Sequence, residues 1–262
     1  MTDRARFIAH AEPELRALIA ALPLVPGAHI LAAGAPDPRL STWLLEHLTH
    51  GGRVVSVGGR MAIAEEPPPD PGADRSLVAE LRALPFPPAT FDLVWLLRTR
   101  DWLPTPLLVA RSLAASLRPG GCLTATSTNL VPSMIFAWDE ELERALRRAW
   151  REYRRDADRF RTGGSASPRR LVGLLREIPL DAVKVHTIPI DRIAPLAPAT
   201  EAYLLETVFR GRWGHRLRPY LSRTHWDVLR RLTDPASPDY ALTRPDFHLI
   251  ETLTVVTGTV IA

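Results

Sequence analysis

Leu84-Pro85-Phe86-Pro87-Pro88-Ala89-Thr90-Phe91-Asp92-Leu93-Val94-Trp95 is the stretch from which the rest of the chain can be read. Its proline-rich first half excludes a helix, and Phe91 to Leu96 is an apolar run suited to a buried strand. Downstream, Pro106 to Leu117 is predicted as a helix stopped by Pro119-Gly120-Gly121, with Cys122 to Thr126 as the next strand. Upstream, Pro26-Gly27 marks a turn into a short strand, His29 to Ala33, that ends at Gly34. Leu40 to His50 reads as a helix closed by Gly51-Gly52, Arg53 to Val57 as a second strand and Leu77 to Leu81 as a third. The segment Pro67 to Gly72 is read as a loop. Strands alternating with helices at this spacing imply right-handed crossovers and a mainly parallel sheet.

The flanks extend this frame. From Arg4 to Leu22, the residues Phe7, Ile8, Ala11, Leu15, Leu18, Ile19 and Leu22 form a helical stripe, which Pro13 either bends or splits. Trp138 to Phe160 is predicted as a long amphipathic helix, broken by Gly163-Gly164. Ser167-Pro168 then supplies an N-cap and first-turn proline for a helix Arg169 to Arg176. A strand Val183 to Ile190, helices near Thr200 to Arg210 and Arg223 to Leu232, and an alternating strand His248 to Val260 complete the order. The expected organisation is a helical segment at 1–23 and an α/β domain at 24–262. Helical cap elements at about 134–176 and 199–233 are expected over the carboxyl end of the sheet, where open α/β sheets bind ligands.

Composition narrows the function classes. The 262 residues are 46% hydrophobic and 24% charged, with a net charge of +4 in which Lys184 is the sole lysine. Glu140 with Arg144 and Glu143 with Arg147 have the spacing of helix-surface ion pairs, so the arginine-rich helix reads as a solvated face, against a nucleic-acid partner. Cys122 is the single cysteine, which excludes an internal disulfide and a cysteine metal cluster. His47 and His50 lack an HExxH context, and no metal is expected. Neither a nucleophile elbow nor a P-loop is present. His186, His215, His225 and His248 are dispersed, and Trp138, Trp150, Tyr153, Trp213 and Trp226 read as core before pocket. No apolar run spans a bilayer and no signal-peptide pattern opens the chain, so a cytoplasmic location is expected.

The segment LPFPPATFDLVW is similar to the LPFPDASFDLV segment of small-molecule class I S-adenosylmethionine (SAM) methyltransferases. Leu117-Arg118-Pro119-Gly120-Gly121-Cys122-Leu123 resembles the VLRPGGRL turn of that family, and Pro26 to Gly34 lies where it has PGxxVLDVG. The resemblance covers residues 24–128 and implies a Rossmann-like sheet, mainly parallel with an antiparallel last strand, plus a helical cap. It implies SAM as cofactor and a small-molecule methyl acceptor. The residues it assigns to the cofactor are Gly34, Ala35 and Asp37 after the first strand, Gly58 after the second, Glu80 and Leu81 after the third, and Leu97 after the fourth.

Several positions depart from the family pattern. Pro36 and Pro38 stand where further loop glycines are usual, and proline cannot donate an amide hydrogen. Ala32 replaces an acid, and Gly58 stands where the ribose-binding carboxylate belongs, with no acid following before Glu65. Glu80 matches the acid that receives the adenine amino group. Asp92 matches the FD motif and reads equally as a fold-supporting acid. Arg60 raises a ribose-phosphate reading, though G-x-G-x-x-G is missing. Arg98, Arg100 and Trp102 follow the fourth strand, beside the expected methyl position. No catalytic residue is assigned. Two functions stay open: a SAM-dependent methyltransferase for a small molecule, or a degenerate member of the fold acting as a binding or partner protein without catalysis.

Overall fold

A computed structural model describes residues 1–34, 37–48, 50–59, 75–97, 105–160 and 168–261. Helices α1 (Asp3–His10) and α2 (Glu12–Ala20) open the chain, so Pro13 starts a second helix. The strands are β1 (His29–Gly34), β2 (Arg53–Gly59), β3 (Arg75–Ala79), β4 (Phe91–Leu96), β5 (Leu117–Asn129), β6 (Leu180–Ile193) and β7 (His248–Val260). Among the described residues they form one seven-stranded sheet in the order β3-β2-β1-β4-β5-β7-β6. Strands β1 to β5 pair in parallel, and the sheet closes with an antiparallel end. The fold is the expected Rossmann-like one.

Two compact units divide the chain. One comprises Arg16–Thr128, Gly163–Ile188 and Leu253–Ala262, and the other Met1–Leu15, Asn129–Thr162 and Pro189–Thr252. In the first of these, α3 (Pro38–Glu46), α4 (Pro106–Ala115) and α6 (Pro168–Arg176) accompany the strands. Leu31, Val94, Leu96, Leu123 and Ala125 bury one sheet face in a core with Ala110 and Leu113 of α4 and Leu171 and Leu175 of α6. The period-two alternation of β1 and β4 is what delivers those side chains to one face.

The residues of the opening motif hold one another. Phe86 meets Phe91 edge to face at 5.0 Å, and Thr90 Oγ1 donates to the Pro87 carbonyl at 2.6 Å. Asp92 accepts the backbone N–H of His29 at 2.8 Å and Arg118 Nη1 at 2.9 and 3.0 Å, tying β4 to the start of β1 and to the LRPGG turn. Its fold-supporting reading is therefore the one its contacts carry. Gly120 has φ +78°. A Cβ on Gly121 would lie 2.8 Å from the Arg118 carbonyl oxygen and 3.2 Å from that of Asp92. Neither position accepts a side chain without strain.

Several boundaries differ from expectation. The helix expected from Leu40 begins at Pro38, because Asp37 caps it, and ends at Glu46. β3 starts two positions early, at Arg75, and β5 already pairs at Leu117, with a register irregularity between Phe91 and Leu93 absorbing the glycine turn. The Pro67–Gly72 loop and Ser167 lie outside the described residues.

The other unit holds α5 (Glu140–Phe160), α7 (Pro198–Ala202), α8 (Gly214–Leu217) and α9 (Arg223–Thr233). α7 runs on into a π-helix, Tyr203–Trp213, instead of ending at Arg210. Trp138, Phe209 and Trp213 cluster inside this unit, with ring centroids 5.6 to 6.3 Å apart. Trp213 is only 1% exposed, so it is core, as its helical spacing implied.

Candidate functional site

The parallel register decides which candidate residues meet. Gly34 at the end of β1 stands opposite Gly58 on β2, and Gly58 stands opposite Val78 on β3. Glu80 and Leu81 follow β3 directly, and Leu97 follows β4, whose Leu96 pairs with Ala33. Six of the seven assigned positions thus gather at the carboxyl ends of four neighbouring strands, with Asp37 at the start of α3. The seventh, Ala35, lies outside the described residues, as do Pro36, Arg60, Glu65, Arg98, Arg100 and Trp102.

Each polar member has local engagements. Asp37 accepts the Arg39 backbone N–H at 3.1 Å and caps α3. Arg39 also folds back on it, with Nε at 3.1 Å from Oδ1 and Nη2 at 3.2 Å from Oδ2. Glu80 accepts Arg82 Nε at 2.7 Å, and that hydrogen bond raises the arginine pKa above its ordinary value. Both pairs are Asp/Glu-x-Arg in sequence, a signal that the reading of single residues missed. Leu81 and Leu97 are buried. Behind the loop, Ala32, Ala33, Asp37, Ser41, Trp95 and Leu97 are among the residues lining a cavity of about 20 Å³, enough for one water. The Nε1 of Trp95 is buried there without a hydrogen-bond partner.

The backbone fits a SAM-type cofactor. At Gly34 φ is +114°, a conformation reserved for glycine, and a Cβ there would meet no atom within 4 Å. Open ground above a glycine turn, with Leu81 and Leu97 as apolar walls, is the shape such a ligand needs. The polar fit is narrower: Gly58 offers no carboxylate, and Glu80 is the acid at the end of β3.

Among the described residues, no group of three or more His, Cys, Asp or Glu side chains is placed to hold a metal ion. His47 Nδ1 donates to the Trp43 carbonyl at 2.9 Å, and His225 lies 3.3 Å from Glu141. His248 stacks on Phe136. No helix among the described residues is long and apolar enough to cross a membrane.

A polar cluster that sequence reasoning missed is buried in the unit containing α5. His10 and Glu251, both with fully buried side chains, approach at 3.5 Å. Tyr203 donates its hydroxyl to Glu251 at 3.0 Å and stacks on His10 at 4.6 Å. His10 Nδ1 meets Thr200 Oγ1 at 3.1 Å. Burial disfavours the charge of Arg212, but Tyr203 and Glu251 outweigh it and hold that guanidinium's pKa above its ordinary value. These partners are far apart in sequence, and no local pattern announces them.

Comparison with known proteins agrees with this geometry. Residues 41–125 match the family described as methyltransferase domain. The YcgJ protein of Bacillus subtilis is 12% identical with a TM-score of 0.55, over 96% of this chain and 99% of that one. A putative methyltransferase of Bacillus halodurans C-125 is 12% identical with a TM-score of 0.54, over 95% and 100%. A putative methyltransferase of Haloferax volcanii, solved in complex with the Trm112 methyltransferase activator, is 14% identical with a TM-score of 0.52, over 99% and 93%. No curated protein sequence matches the chain. At these identities the likeness establishes the fold, that of class I SAM methyltransferases.

Proposed function

Starting from a class I methyltransferase fold, we propose that this chain is a SAM-dependent methyltransferase acting on a small molecule. The observation that carries this reading is the register that brings Gly34, Gly58, Glu80, Leu81 and Leu97 to neighbouring strand ends beside an open glycine turn. The bound cofactor supplies an electrophilic methyl group for displacement at carbon. The chain's own residues then have positioning roles. Gly34 admits a ligand close to the backbone, Leu81 and Leu97 keep water from its apolar parts, and Glu80 accepts from an amino group. Holding donor and acceptor in line supplies most of the acceleration in such a reaction, so a dedicated base is required only when the acceptor must lose a proton.

The competing reading, a binding or partner protein without catalysis, is favoured by one observation. Both Asp37 oxygens already serve α3 and Arg39, leaving that carboxylate committed to the fold. Calorimetric titration with SAM and S-adenosylhomocysteine separates the two. The enzyme reading expects dissociation constants on the order of micromolar, about −8 kcal/mol. Silence at millimolar ligand would leave only the partner-protein reading.

A further inference from the structure

The exposed face of α5 has an arrangement that its sequence spacing did not convey. Arg144, Arg147, Arg148, Arg151, Arg154 and Arg155 are all exposed. Of the two ion pairs expected, Arg147 with Glu143 forms at 3.4 Å, whereas Arg144 turns to the Glu140 backbone carbonyl at 3.0 Å. Among the described residues no carboxylate pairs with Arg148, Arg151, Arg154 or Arg155. Asp156, the acid beside them, accepts the Tyr220 hydroxyl at 2.9 Å, and Glu152 is half-buried. Four unneutralised guanidinium groups therefore follow one another along two turns, about 10 Å of helix axis at 1.5 Å per residue.

We propose that this face of α5 is a docking surface for single-stranded RNA, a function separate from the cofactor site and independent of whether SAM binds. Three observations select the partner. The cations are all arginine, whose planar fork matches phosphate oxygens in a way an ammonium cannot. The apolar side of the helix, Leu142, Ala145, Leu146 and Ala149, is buried within its own unit, so insertion of this helix into a lipid surface has no face to use. Beside the arginines, Tyr153 is half-buried with the Arg216 guanidinium 5.8 Å from its ring centroid, an aromatic-cation pairing of the kind on which unpaired bases stack.

The test is fluorescence anisotropy with a labelled mixed-sequence single-stranded RNA 20-mer across a salt series. It compares the full chain with Arg148→Gln/Arg151→Gln/Arg154→Gln/Arg155→Gln. A charge-matched control, Arg53→Gln/Arg111→Gln/Arg176→Gln/Lys184→Gln, carries the same loss on exposed positions elsewhere. Circular dichroism melts confirm that both variants fold; should the fourfold variant melt early, the single changes Arg151→Gln and Arg155→Gln replace it. The α5 variant should weaken RNA binding at least about tenfold and lower the salt slope by about 2.8, at about 0.7 for each lost phosphate contact on a single strand. The control should stay within about twofold of the parent. Equal binding by parent and α5 variant overturns the proposal, as does equally tight capture of polyglutamate or of anionic phospholipid vesicles.

Discussion

Asp92, at the amino end of β4, binds His29 of β1 and Arg118 of the glycine turn, joining three separate segments. At the carboxyl ends of the same sheet, Asp37 and Glu80 bind arginines two residues away. Carboxylates therefore do different work at the two ends. Those at the amino end link segments and define the fold. Those at the ligand end have only local protein partners, which leaves their geometry to be decided by what binds. A family pattern survives most completely where it is structural, because each residue there is held by several others.

The contrast predicts a graded series of stabilities, read as chemical-denaturation midpoints of the full chain. Gly121→Ala should have the largest effect, a loss of about 3 kcal/mol, because its new methyl would press on two backbone carbonyls. Asp92→Ala should cost about 2 kcal/mol, having removed a charge-assisted bond to Arg118 and left the His29 amide unpaired. Asp37→Ala should cost about 1 kcal/mol, the value of one helix cap. Arg82→Ala should cost less than about 0.5 kcal/mol, since its pair with Glu80 is exposed. An Arg82→Ala loss equal to that of Asp92→Ala would erase the distinction between the two ends.

Much of the sheet was legible in the sequence, for physical reasons. β4 and β7 have the limits read from their apolar patterns, and proline and glycine marked the turns correctly. Boundaries moved where side-chain chemistry overrode the pattern: the Asp37 cap advanced α3, and the bulge beside Leu117 lengthened β5. The π-helix at Tyr203–Trp213 has no sequence period of its own and was read as an ordinary helix. In the candidate site, sequence order gave the strand ends, but it did not show Arg39 and Arg82 closing on the two acids. The buried His10–Glu251 contact spans most of the chain, beyond the reach of any local motif.

The most direct test restores the carboxylate missing from the end of β2. Gly58 stands beside Gly34 in the register, where a ribose-binding acid would belong. The affinities of the parent chain and of Gly58→Asp for S-adenosylhomocysteine should be measured by calorimetry. The account predicts binding by both, tightened about tenfold or more in the variant, as expected for a new hydrogen bond to a charged group. If neither protein binds, or if the added carboxylate leaves affinity unchanged, this end of the sheet does not hold the cofactor in the proposed way.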